Sequence, residues 1–236
     1  MTHVVVTDIV RADLEIARAL AEFGSATVHE ALGRAGYAGP RIRPIQQGVR
    51  ISGTAVTVQA APGDNLMVHA AIEQAHDGDV IVVVPTTESP FGFIGDLMAT
   101  QMQRRGVRGY VTSGGVRDSQ ELRAMGFPAW TAEVSAQGTV KDTAGSVNVP
   151  IVLGGAVVEP GDIVVADDDG VTIVPRERAA EALEASQARA AKEAANRVRF
   201  EAGEISMDLN NLRPVLADLG VQYVTQAEFE ETHDRR

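Results

Sequence analysis

Apolar positions recur at helical spacing through residues 12–23 (ADLEIARALAEF), and Gly24 behind them predicts the end of a first helix. Thr27 and Glu30 stand at capping-box spacing, so a second helix is expected to open at Ser25 or Thr27. From Thr54 to Gln59 polar and apolar residues alternate as in a half-buried strand. Asp64 then suits the cap of a helix running to about Ala75. Gly78-Asp79 marks a turn, and Val80-Ile81-Val82-Val83-Val84 reads as a strand covered on both faces. A second cycle predicts a helix from Asp96 to Arg105, a strand from Val107 to Thr112, a turn at Gly114-Gly115, a helix from Ser119 to Met125 and a short strand after Pro128. This alternation implies a partly parallel sheet carrying helices, an α/β fold.

From Val147 to Pro175 short strands follow one another, with turns at Gly154-Gly155, Pro160-Gly161-Asp162 and Asp169-Gly170, which predicts a β-rich second layer. A polar helix rich in Ala, Glu and Arg is expected from Arg176 to about Ala202, closed by Gly203. A last helix spans Met207 to Leu219, with a kink or break at Pro214. No low-complexity linker interrupts the chain. The expected organisation is one domain over residues 1–236, with 176–236 as a helical C-terminal extension. The long helix is too polar for a core position, and either a role across a subunit boundary or a solvated surface would suit it.

Composition narrows the chemistry. Cysteine is absent, which excludes disulfides, thiolate nucleophiles and iron–sulfur ligation. A net charge of -11 disfavours nucleic-acid binding, which draws on Lys and Arg against phosphate, but leaves room for a small anion in a locally positive site. No apolar run reaches the length of a membrane span, and Asp8, Arg11 and Asp13 interrupt any leader-like start, so a cytoplasmic address is the expectation. The only lysines are Lys141, in a polar stretch, and Lys192, on the charged helix. Neither suits a buried Schiff-base amine, so carbon–carbon bond chemistry here would turn to a metal.

Several motifs fall away on inspection. His29-Glu30 lacks the second histidine of a zinc helix, since position 33 is Gly. Asp167-Asp168-Asp169-Gly170 begins like a calcium loop, but Arg178 stands where the closing Glu belongs, which leaves an acidic turn. Histidines 3, 29, 69, 76 and 233 show no ligand-like pairing. What remains is Gly92-Phe93-Ile94-Gly95-Asp96, followed by Arg117-Asp118 after the next strand. Asp96 falls at a helix start, where free amides favour an anion, and both pieces lie beyond strand ends, where α/β sheets bind ligands. Two carboxylates suit a hard cation, and a guanidinium grips a carboxylate with two bonds. Taken alone, the same residues also describe a helix cap beside a surface ion pair.

The pattern Gly-x3-Asp-x20-Arg-Asp resembles the signature of the class II pyruvate aldolases that cleave 4-hydroxy-4-methyl-2-oxoglutarate and 4-carboxy-4-hydroxy-2-oxoadipate, within the RraA-like family. The resemblance extends to Ala26–Ala31, to the stretch Gly161–Pro175 and to two tail segments, Gly203–Asp208 and Leu219–Val224. It implies a layered α/β sandwich with a swivelling-domain-like β core, assembled as homotrimers or homohexamers with sites between subunits. It implies Mg²⁺ or Mn²⁺ held directly by Asp118 and through water by Asp96. Arg117 would bind the pyruvyl group and stabilise its enolate, and the turn at Gly95 with the amides of Leu97 and Met98 would take the substrate carboxylate. Glu30 and Glu193 would be acids given by a neighbouring subunit, with Glu184 and Glu201 as alternatives to Glu193. Oxaloacetate decarboxylation is an implied second activity. A dedicated decarboxylase and a non-catalytic regulator of a ribonuclease are the competing family roles.

Overall fold

The computed structural model describes residues 2–233, which divide into two compact units, one reaching to Ala190 and the other starting at Ala191. In the first unit, helix α1 (Leu14–Ala21) opens on Asp13, whose carboxylate accepts the Glu15 amide at 2.8 Å. Gly24 does not merely stop that helix; it is the first residue of α2 (Gly24–Ala31). The expected capping box is absent. Thr27 lies inside α2, and the cap comes instead from Asp167, whose carboxylate accepts the Ser25 amide at 2.8 Å and the Ser25 hydroxyl at 2.6 Å.

Strands β1 (Arg43–Pro44), β2 (Ile51–Ala60), β3 (Asp79–Pro85), β4 (Gly109–Val116), β5 (Ala129–Val134), β9 (Ile163–Asp167) and β10 (Gly170–Val174) form one mixed sheet in the order β1-β5-β4-β3-β2-β9-β10. Pairing is parallel from β2 through β5, as the alternating strands and helices require, and antiparallel for β9 and β10. The region after Val147 is therefore not a separate layer: β9 and β10 extend the same sheet, because β2 is long enough to pair with β3 on one side and with β9 and the short β6 (Ser146–Val147) on the other. Among the described residues, only the hairpin of β7 (Ile151–Leu153) and β8 (Ala156–Val158) stands apart.

The sheet curls into a nearly closed barrel. Trp130 on β5 donates its indole N–H to the Asp167 carbonyl at the end of β9, 2.7 Å away, although β4, β3 and β2 lie between them in the sheet. Arg43 on β1 likewise reaches the Asp169 carbonyl at 3.1 Å. The β7–β8 hairpin fills one side of this curl, packing Leu153 and Val158 with Val80, Val82, Val111 and Trp130. The other face carries α3 (Leu66–Gln74), α4 (Asp96–Arg104) and α5 (Ser119–Ala124). Both faces of the central strands are buried, which is why Val80–Val84 reads as a continuous apolar run.

Helix α6 (Ala179–Glu201) follows a short 3-10 turn at Arg176–Arg178. Its first part packs Ala179 and Ala182 beside α1 and α2. The second unit comprises the rest of α6, α7 (Ser206–Leu209), α8 (Leu212–Asp218) and α9 (Gln226–His233), a helix with no counterpart in the sequence reading. The last helix expected there is split, but at Asn210-Asn211 rather than at Pro214. The proline sits in the first turn of α8, where its missing N–H breaks no helical bond. No helix among the described residues is long and apolar enough to cross a membrane.

Candidate active site

Gly114-Gly115 was expected to turn the chain, but β4 runs through both to Val116, with a shift in its pairing to β5 between Thr112 and Gly115. The glycines serve close approach. The loop after β3 lies along this strand end, and a Cβ at Gly115 would come 2.5 Å from the Pro90 carbonyl oxygen. Loop and strand exchange bonds as two strands would: Phe93 N–H to the Gly115 carbonyl at 2.9 Å, Gly115 N–H to Phe91 at 3.1 Å, and Arg117 N–H to Ile94 at 3.0 Å. This lacing brings Gly92–Asp96 against Arg117-Asp118 across the twenty residues that separate them.

Two glycines make the contact close. A Cβ on Gly92 would meet the Arg117 Cβ at 2.9 Å, and one on Gly95 would lie 2.0 Å from Asp118 Oδ2. Asp118 itself adopts left-handed backbone geometry, φ 54, at the start of α5, which costs a non-glycine residue about 1–3 kcal/mol. It makes no side-chain cap bond to α5. Its Oδ2 instead faces the Asp96 amide at 3.4 Å and the Arg117 Nε at 3.5 Å.

Asp96 opens α4, and its Oδ1 accepts the Leu97 amide at 2.8 Å. That amide is thus engaged by a carboxylate in this structure, and the Asp96 side chain must rotate before Leu97 N–H can serve an incoming anion. Leu97 is exposed and Met98 buried, its sulfur 3.2 Å from the Asn65 amide nitrogen. Gly92, Gly95, Asp96, Leu97, Met98 and Arg117 line one cleft of about 230 Å³.

Asn65, His69 and Lys141 also line this cleft, and the sequence reading assigned none of them a part in it. Asn65 donates to the Phe93 carbonyl at 2.9 Å, while its side-chain oxygen and the His69 Nε2 are buried with no hydrogen-bond partner. Burial, with the Lys141 charge adding to it, holds the His69 imidazole below its ordinary pKa. Lys141 is exposed, which agrees with the case against a Schiff base. Of the other histidines, His29 bonds the Ala35 carbonyl at 2.9 Å, and the His233 side chain lies outside the described residues.

The acids assigned to a neighbouring subunit sit elsewhere. Glu30 lies on α2, paired with Arg34 at 3.2 Å and Arg189 at 3.6 Å. Glu193 lies in the second unit, beside Asn196, Arg197 and Phe200 in a groove on α6, where Glu201 lies too. Among the described residues no three His, Asp or Glu side chains converge as a cage for a metal. For a hard cation that keeps most of its waters, Asp118 is the carboxylate to hand: its Oδ2 makes no cap bond and stands where Gly95 leaves room for it, with the Asp96 amide against it.

A family model described as RraA-like, Aldolase/RraA, matches residues 25–173. The chain belongs to the RraA-like family. Among its relatives, a protein of Halalkalibacterium halodurans named "Putative 4-hydroxy-4-methyl-2-oxoglutarate aldolase" is 36% identical over 57% of this chain, and the match spans 64% of that protein's length. One of the same name from Burkholderia multivorans is 32% identical over 57% of this chain and 81% of its own. The RraA-like architecture recurs in Streptomyces coelicolor RraAS2, described as an unusual member of the RNase ES inhibitor RraA protein family. It superposes with a TM-score of 0.73 at 30% identity, covering 80% of this chain and 99% of that one.

Proposed function

We propose that this chain is a divalent-metal-dependent pyruvate aldolase, cleaving 4-hydroxy-4-methyl-2-oxoglutarate or 4-carboxy-4-hydroxy-2-oxoadipate to pyruvate plus pyruvate or oxaloacetate. The observation that carries the reading is the lacing of Arg117-Asp118 onto Gly92–Asp96 at the mouth of the cleft, a strained and closely packed arrangement that a surface ion pair does not need. The relatives named as aldolases support it.

Breaking the bond between C3 and C4 of such a substrate leaves an electron pair that must settle on the C2 oxygen. Mg²⁺ or Mn²⁺ bound at Asp118, and through water at Asp96, would supply Lewis acidity toward that oxygen. Arg117 places a fixed positive charge at the same point, so its interaction strengthens as the enolate forms. Asp96 orients the water that receives the 4-hydroxyl proton. Gly95 and the amides of Leu97 and Met98, in the first helical turn, hold the carboxylate beside C2. Glu30 and Glu193 of a neighbouring copy in a homotrimer or homohexamer complete the acid set. Oxaloacetate loses carbon dioxide through the same enolate, so decarboxylation accompanies the aldol activity.

Pyruvate release from each aldol substrate and from oxaloacetate, with Mg²⁺ and after chelation, tests the assignment. Chelation should abolish all three activities, and Asp118→Asn should do so at low Mg²⁺ without unfolding the protein, because a neutral amide is a poor ligand for a hard cation. Chelator-insensitive turnover would sink the metal assignment. No turnover of any substrate by the wild type would favour the regulatory role attributed to RraAS2's family.

A further inference from the structure

The segment from Gln137 to Thr143 runs as a strap bridged at Gly138 and Val140, and lines the cleft with Thr139 and Lys141. Its start is tied to the loop that carries the site: Gly92 N–H donates to the Gln137 carbonyl at 2.8 Å. At Gly138 the strap passes beside the guanidinium, since a Cβ there would lie 3.0 Å from Arg117 Nη1. Three residues later it presents Lys141 to the cleft. Three extended residues cover about 10 Å, so the strap places Lys141 in a part of this small cleft apart from Arg117, and the cleft holds two cations in a protein whose net charge is -11.

The strap is fixed from beneath by one buried carboxylate. Asp64, 2% exposed, accepts the Asp142 amide at 2.6 Å and the Thr143 amide at 2.7 Å through Oδ2, and the Leu66 amide at 2.8 Å through Oδ1. Backbone bonds flank it, from Val140 N–H to Gly63 at 2.9 Å and from Asn65 N–H to Val140 at 3.0 Å. Burial by itself raises the Asp64 pKa, but the amides of Leu66, Asp142 and Thr143 outweigh it and hold the group below the ordinary carboxylate range, so it stays ionised. Asp64 thus serves both the start of α3 and the backbone on the far side of Lys141.

We infer that the Asp64-pinned strap is the wall that selects dianionic substrates: Lys141 receives the second carboxylate of a 2-oxo dicarboxylate whose keto group lies at Arg117 and whose first carboxylate lies at the Leu97 and Met98 amides, and Asp64 is the positioning residue that holds Lys141 there. The inference rests on the aldolase reading for the orientation of the ligand. Asn65 Oδ1 and His69 Nε2, buried polar atoms of the same cleft at the start of α3 with no protein partner, mark the cleft as built for a polar occupant.

The test uses two unreactive 2-oxo acids of equal chain length, 2-oxoglutarate with a second carboxylate and 2-oxopentanoate without one. Calorimetric Kd values are measured on the full chain with Mg²⁺. The wild type should prefer 2-oxoglutarate by about 10- to 100-fold, the scale of one charge-assisted hydrogen bond. Lys141→Met should erase that preference while leaving 2-oxopentanoate binding unchanged, and Lys141→Arg should restore part of it. Asp64→Ala should weaken 2-oxoglutarate more than 2-oxopentanoate, whereas a residue that only supports the fold would weaken both alike. Equal wild-type affinities, failure of 2-oxoglutarate to bind, or a preference that survives Lys141→Met would overturn the inference. Failure of the aldolase reading is seen separately, as absence of pyruvate release by the wild type, because neither binding probe is cleaved.

Discussion

Asp118 Oδ2 occupies the space that a side chain on Gly95 would need, 2.0 Å from where its Cβ would stand. Gly95 has extended backbone geometry that any residue can adopt, so its value here is steric and not conformational. Gly95→Ala should therefore fold normally but displace the Asp118 carboxylate. A fall in turnover of about 100-fold or more, with a melting temperature within a few degrees of wild type, is expected. Unchanged turnover would show that the position of this oxygen does not matter to the reaction.

Arg117 separates catalysis from an ion pair. Its Nε lies 3.5 Å from Asp118 with about half the side chain exposed, and such a pair contributes under about 1 kcal/mol to stability. If it stabilises the enolate, Arg117→Ala should lower turnover by about 100-fold or more. Arg117→Lys should also be severely impaired, because an ammonium lacks the planar fork that grips two oxygens. Steady-state rates beside melting curves decide this, and near-normal turnover in both variants would refute the catalytic role.

Glu30 is paired within its own chain to Arg34 and Arg189. If it also completes a neighbour's site, mixed oligomers of an Asp118→Asn chain and a Glu30→Gln chain should regain part of the activity that each parent lacks. Verified subunit mixing with no recovery would place Glu30 in a structural role only.

His69 gives a pH signature. Its folded pKa is depressed, first by burial and then by Lys141, so the fold favours the neutral ring. The contribution to stability is fully present above the ordinary imidazole pKa and is lost as pH falls through the lower folded value. Ring-proton NMR should show His69 titrating below the ordinary value, and Lys141→Met should move it upward without restoring it fully, since burial persists. No movement would place the ammonium away from the ring.

The parallel strands and the helices between them were legible because each period is local: Val80–Val84 and residues 96–105 carry their own pattern. The central pair stood out by residue type and spacing, but its role came only from the family resemblance, and the close contact behind the glycines at 92 and 95 appears only in the fold. What escaped depends on partners distant in sequence. The cap of α2 comes from Asp167, the glycines at 114 and 115 accommodate another loop instead of turning, and β9 finds its place only beside β2. Lys141 and His69 looked ordinary because their environment is set by a strap pinned at Asp64, which no local pattern announces.

The bond from Ser25 to Asp167 spans 142 positions of the chain. During synthesis, at roughly 5–20 residues per second, α2 waits many seconds before its cap exists. An eight-residue helix is marginal in water by itself, so the segment bearing Glu30 acquires a fixed place only after β9 has joined β2. Chains ending short of Asp167 should leave this N-terminal segment open to proteases, and Asp167→Ala should expose it selectively in the full-length protein.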